Sequence, residues 1–203
     1  MASSKEDRRA QILGVARKEF ARRGYHSTTI EDIVAAAGIA RGTFYLYFAD
    51  KRGVFEELVD RFSARLGMAI LRVDPGDPVR SVADQVKENT RRVLSACLED
   101  QMMSKIFMAD TLGVDEAFDR KLLGFYDEVT KLFVESLTEG QALGLVRPGD
   151  PRLFAMFTMG GIREVLFQIV KRDGEYDLER LVDGLFAVFS SGFIIAEAAS
   201  KRG

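Results

Sequence analysis

The side chains best equipped for chemistry in this sequence are hydrogen-bond donors rather than nucleophiles. Arg41, Gly42, Thr43, Tyr45, Tyr47 and Lys51 fall within eleven consecutive positions. An arginine can present a bidentate pair to guanine, a threonine can bond a phosphate or touch a thymine methyl, and a glycine lets the backbone come close. Lys51, and Thr28 or Thr29, stand where helix N-termini are expected, and there the backbone dipole favours an anion. Together they form a set for contacting phosphates and base edges. Bond-breaking chemistry has little to work with. His26 and Cys97 are the single histidine and the single cysteine, so no Cys/His cluster for zinc and no intramolecular disulfide framework exists. Gly-rich phosphate loops and nucleophile elbows are also missing. The expectation is therefore no catalytic residues, no metal and no cofactor.

These donors need a scaffold that points them one way. Ser3 and Ser4 can cap a first helix, with Ile12, Leu13, Ala16 and Phe20 on its inner face and Gly24 at its end. Thr28 pairs with Glu31 and Thr29 with Asp32 at capping-box spacing, so either threonine can start a second helix carrying Ile30, Ile33, Val34 and Ala37 inward. Gly38 closes it. Gly38-Ile39-Ala40 then makes a tight turn into a third helix over 41–48, where Phe44 and Phe48 share the core face. A recognition helix needs small or polar residues at its outer N-terminal turn and an anchored opposite face. Asp50 can cap the helix that begins at Lys51, although Gly53 leaves that capping box incomplete. A helix-turn-helix over 28–48 is the result.

Residues 28–51, TTIEDIVAAAGIARGTFYLYFADK, resemble the DNA-binding signature of TetR-family transcriptional regulators, a similarity extending over about residues 8–60. The resemblance implies that Thr29, Tyr45, Tyr47 and Lys51 match family positions touching backbone or base. It also implies that the last two helices form a dimeric four-helix bundle, that a pocket for an effector lies in the divergent body, and that repression is the commoner outcome.

Charge separates the same two regions. The chain has 203 residues and net charge −2, yet residues 1–52 hold 10 of the 29 basic and 6 of the 31 acidic side chains. A basic segment thus precedes an acidic body, as expected when only the first approaches phosphate. With 47% apolar and 30% charged residues and four prolines, the composition is that of a folded globular protein. The N-terminus lacks the apolar stretch of an export signal, and no run of about 18 apolar residues is found. A cytoplasmic protein with no membrane partner is expected. Residues 74–78 make the clearest break, and helices are predicted at 79–98, 101–111, 116–141, 151–172 and 178–199.

The fold class expected is all-α, with about nine helices: an N-terminal three-helix DNA-binding domain over 1–52 and a larger ligand-binding and dimerisation domain over 53–203. Candidate ligand contacts are Met103, Phe107, Phe125, Phe133, Phe157 and Phe167, with Arg163 to orient a polar end. Any of these can equally be plain core. Candidate dimer contacts are Leu166, Ile169, Leu185, Phe189 and Phe193, from two helices apolar on more than one face. The expected partners are operator DNA, a small apolar or amphipathic effector and a second copy of the chain. A DNA-binding structural protein without effector and an all-helical enzyme are the competing readings.

Overall fold

The computed structural model describes residues 5–108, 116–171 and 176–192. Among these, nine α-helices follow one another: α1 (Lys5–Arg23), α2 (Ile30–Ala37), α3 (Arg41–Tyr45), α4 (Lys51–Ala69), α5 (Val82–Leu98), α6 (Gln101–Met108), α7 (Glu116–Ala142), α8 (Pro151–Lys171) and α9 (Leu178–Gly192). The all-α class holds. Ser3 and Ser4, proposed as caps, lie outside the described residues.

Two compact units result, one from residues 1–64 and 100–120, the other from 65–99 and 121–203. The first unit therefore adds 53–64 and 100–120 to the basic segment. Its core is built from Ile12, Leu13, Ala16 and Phe20 of α1, Ile33 and Ala37 of α2, Phe44 of α3, and Val54, Phe55, Leu58, Val59 and Phe62 of α4, all buried. The rings of Phe20 and Phe55 meet edge to face at 5.3 Å, and Tyr25 lies 4.5 Å from Phe55. Such pairs add to what area burial contributes. The start of α6 is tied to α1, because Arg17 donates to Asp100 at 2.7 Å while the same carboxylate accepts the Met103 amide at 3.1 Å.

Local chemistry sets the boundaries of α2. Thr29 caps it, its hydroxyl accepting the Asp32 amide at 3.1 Å while the Asp32 carboxylate accepts the Thr29 amide at 2.9 Å. Those hydrogen bonds hold the Asp32 carboxyl below its ordinary pKa. At the other end Gly38 takes φ 63°, and the Gly38 and Ile39 amides bond back to the carbonyls of Ala35 and Val34. That left-handed residue turns the chain towards α3.

The second unit is bound by charge as well as by apolar contact. Arg91 of α5 makes a two-pronged bridge to Glu179 of α9, both bonds 2.7 Å, and a third bond to Glu88 at 2.6 Å. Lys87 reaches Asp183 at 3.0 Å, one turn along the same pair of helices. Buried Val146 and Phe189 pack with Leu137, Phe154, Ile162 and Leu185.

Within α8, an 18-residue window has mean hydropathy 1.4, long and apolar enough by composition to cross a membrane. The expectation of no such segment is corrected to that extent, since counting uninterrupted apolar residues passes over a helix broken by Arg163 and Glu164. Only 22% of the window is buried within the chain.

The Gly38 turn gives a direct test. There is open space where a Cβ would stand, so Gly38→Ala acts through the positive φ alone. The expected loss is about 1–2 kcal/mol, measured as a lower urea midpoint with an unchanged slope.

Candidate nucleic-acid interface

Thr28 and Thr29, adjacent in sequence, do different work. Thr28 is fully buried, and its hydroxyl donates to the Gly24 carbonyl at 2.8 Å. This corrects its candidacy as a phosphate contact, because a sealed side chain cannot meet DNA. Thr29 is exposed at the N-cap, beside the first amides of α2.

Helix α3 is shorter than expected. It runs from Arg41 to Tyr45, after which Leu46 and Tyr47 continue as a turn. The Tyr47 and Phe48 amides both donate to the Phe44 carbonyl, at 3.0 and 3.1 Å. The turn keeps Phe48 below Phe44, their centroids 6.0 Å apart, and both rings are buried. Arg41, Gly42 and Tyr45 are exposed and Thr43 and Tyr47 half-buried. Leu46, not anticipated from the sequence, is 74% exposed on the same element. Its helical phase, opposite Phe44 and Phe48, was the signal available.

Arg41 is engaged at the surface. It pairs with Glu31 of α2 at 2.6 Å and donates to the Tyr45 hydroxyl at 3.3 Å. Both charges are more than half exposed, so the pair contributes little to stability. It holds the guanidinium over the outer face of α2 and α3.

Lys51 has turned inward. Its ammonium donates to the carbonyls of Tyr25 and Thr28, at 2.7 and 2.8 Å, and stands 4.2 Å from the Tyr25 ring centroid. Burial lowers its pKa. The lysine assigned to phosphate thus fastens the loop that leads into α2, which sets the position of Thr29.

A residue absent from the sequence reading completes the site. Arg9 of α1 donates to Glu57 of α4 through Nε and Nη2, donates to the Tyr47 carbonyl at 2.9 Å, and lies 4.3 Å from the Phe48 ring centroid. Burial raises the pKa of Glu57, but hydrogen bonds from Arg9 and Arg61 outweigh it and hold the carboxyl below its usual range. The turn that follows α3 is thereby pinned to two other helices.

Against this geometry the comparisons are specific. Residues 12–58 match the family described as bacterial regulatory proteins, tetR family. The uncharacterised HTH-type transcriptional regulator YfiR of Bacillus subtilis is 38% identical over 151 residues, covering 72% of each chain. This chain belongs to the tetR family. It is a DNA-binding transcriptional regulator. The fatty acid metabolism regulator protein of Bacillus subtilis is 27% identical over 187 residues, 90% of this chain and 93% of the relative. A solved structure of the transcriptional regulator FadR from Bacillus subtilis, in complex with stearoyl-CoA, superposes with TM-score 0.71 and 25% identity, covering 90% of this chain and 98% of that one.

The remaining candidates of this tetR-family chain are dispersed. Met103 is buried in α6, within the first unit. Phe107 has a side chain outside the described residues. Phe125 and Phe133 on α7 and Phe167 on α8 are half-buried, whereas Phe157 is 63% exposed. Arg163 lies within hydrogen-bonding reach of Tyr126, whose phenol burial pushes to a higher pKa while the arginine offsets part of the rise. A groove of about 410 Å³ in the second unit involves none of them; Leu71, Arg80, Lys87, Arg91 and Arg92 are among its walls.

Of the dimer candidates, Leu166 and Phe189 are buried inside their own chain, Ile169 and Leu185 are half-buried, and Phe193 lies outside the described residues. The correction has a simple cause. A helix that is apolar all round does not reveal which side meets its own core. Leu153, Met156 and Phe157 of α8 and Val188 of α9 are instead the large apolar side chains left exposed among the described residues of these helices, each 57–63% exposed.

Replacing Arg9 by Lys keeps the charge and removes the fork. Expected are a loss of about 1 kcal/mol in stability and an operator affinity that falls several-fold more than affinity for unrelated DNA, read by fluorescence anisotropy with competitor.

Proposed function

We propose that this regulator is a homodimeric repressor whose two α3 helices read a palindromic operator, and that a long-chain acyl thioester of coenzyme A releases it. The observation that carries the DNA half is the division of α3 and its following turn into a side of two buried phenylalanines, Phe44 and Phe48, and an outer face bearing Arg41, Gly42, Thr43 and Tyr45. An arginine, a threonine and a tyrosine over a backbone left bare by glycine form a reading surface for the major groove. Thr29, at the capped start of α2, and Tyr47 serve the phosphates. Lys51 acts by holding the loop.

Two copies are needed because one five-residue helix contacts too few base pairs to select a site. The Leu153, Met156, Phe157 and Val188 side chains support pairing: the three on α8 follow i, i+3, i+4 spacing, and exposed Gly160 and Gly184 allow close approach. A second chain covering this stripe makes a two-fold dimer in which each residue meets its own counterpart or neighbour.

For the effector, support comes from the relative solved with stearoyl-CoA and from the fatty acid metabolism regulator, each similar over nine-tenths of this chain. The half-buried Phe125, Phe133 and Phe167 suit an acyl chain, and Arg163 with Tyr126 suits its polar end. Release then needs only that the thioester bind better to a conformation with weaker operator affinity.

Two measurements test this. On palindromic DNA from the gene's own promoter, binding should fall steeply with salt, and micromolar stearoyl-CoA should release the DNA while free coenzyme A does not. If no acyl-CoA releases DNA or raises the melting temperature, the effector assignment is wrong. Phe157→Asp should give monomers in analytical ultracentrifugation, with operator affinity reduced at least 100-fold. A dimer that persists in that variant removes the assigned interface.

A further inference from the structure

The outermost line of α3 and of the turn that continues it is made by Gly42 and Leu46. At about 100° per residue, Leu46, whose backbone is still helical, lies about 160° around from Phe44, opposite the buried side, and Gly42 precedes it by one turn within about 40° of the same line. Leu46 is 74% exposed, well above Tyr45 at 45% and Met102 at 41%, the other large apolar side chains exposed among the described residues of the first unit. Nothing on α3 shields it, because Gly42 has no side chain and a Cβ there would meet no atom within 4 Å.

Leu46 is also held in place. Its amide donates to the Thr43 carbonyl at 3.2 Å, its backbone has φ −73° and ψ −16°, and the next residue's carbonyl is bound by Arg9. A branched apolar side chain is thus presented, on a fixed backbone, at the apex of a helix flanked by Arg41, Thr43 and Tyr45. Polar neighbours can bond donors and acceptors of any base edge. Leucine cannot. The one apolar group that base edges offer in the major groove is the 5-methyl of thymine.

We infer that Leu46 is a specificity-determining residue that selects a thymine in each operator half-site by contact with its 5-methyl group. This rests on the reading of α3 as the DNA-facing helix. Gly42 permits the backbone to approach closely enough for the contact, while Arg41, Thr43 and Tyr45 supply hydrogen bonds to phosphates and neighbouring bases.

The experiment replaces operator thymines by deoxyuridine, which lacks only the methyl, one symmetric pair at a time. Wild type, Leu46→Ala and Leu46→Met are compared by fluorescence anisotropy. Wild type should lose about fourfold per half-site, about 15-fold for the pair, at one symmetric position. Leu46→Ala should bind the thymine and deoxyuridine operators equally, with an unchanged melting temperature because the side chain is exposed. Leu46→Met, apolar and of similar reach, should retain part of the preference. Specific operator binding by wild type with no sensitivity to any methyl overturns the assignment, as does full sensitivity in Leu46→Ala. Failure of wild type to prefer the operator over unrelated DNA instead overturns the DNA-facing reading on which the inference rests.

Discussion

The Arg9 guanidinium reaches from α1 to the Glu57 carboxylate on α4 and to the Tyr47 carbonyl, with its central carbon over the Phe48 ring. The element it secures cannot secure itself. Helix α3 has five residues and no side-chain cap, far short of what an isolated helix requires. Its orientation is inherited from Phe44 and Phe48 beneath, from the Gly38 turn before it, and from Arg9 after it. Arginine suits the task because its rigid, planar set of donors can serve a carboxylate and a carbonyl together while its face stacks on an aromatic ring. The same dependence recurs at the entrance to α2, where the Lys51 ammonium gathers main-chain carbonyls from Tyr25 to Thr28.

The parts of the fold governed by neighbours in sequence were legible from sequence. Thr29 with Asp32, and Gly38 after Ala37, mark α2 because capping and left-handed turns are interactions over a few residues. The breaks before α5 and α8 follow from proline and glycine in the same way. Other features depend on where the chain goes later. The choice between Thr28 and Thr29 turned on a loop that folds back over the first hydroxyl. Lys51 read as a phosphate ligand, since a sequence does not show that three carbonyls stand nearer than solvent. The sequence pattern extends α3 three residues too far, because a tight turn keeps Phe48 in the position that a continuing helix would give it.

The body was less legible for another reason. In α8 and α9 the apolar residues outnumber what one face can hold, so periodicity predicts helix but not orientation. The structure resolves that ambiguity within the chain: Leu166 and Phe189 go in, Leu153, Met156, Phe157 and Val188 stay out. Ion pairs distant in sequence were equally invisible. Arg91 and Glu179 lie 88 positions apart, and nothing local to either one announces the other.

The split of α3 into an anchored side and an outward side also bears on how such a regulator can change over generations. Phe44, Phe48, Arg9 and Glu57 carry the architecture, and none of them is a candidate for reading sequence. Gly42, Thr43, Tyr45 and Leu46, the proposed reading set, are exposed or half-buried and contribute little to the core. On that proposal, substitutions in the second group alter which operator is chosen at little expense to stability, so a duplicated gene can acquire a new target before its scaffold drifts. The vocabulary of the regulator is free to diverge while its grammar stays fixed.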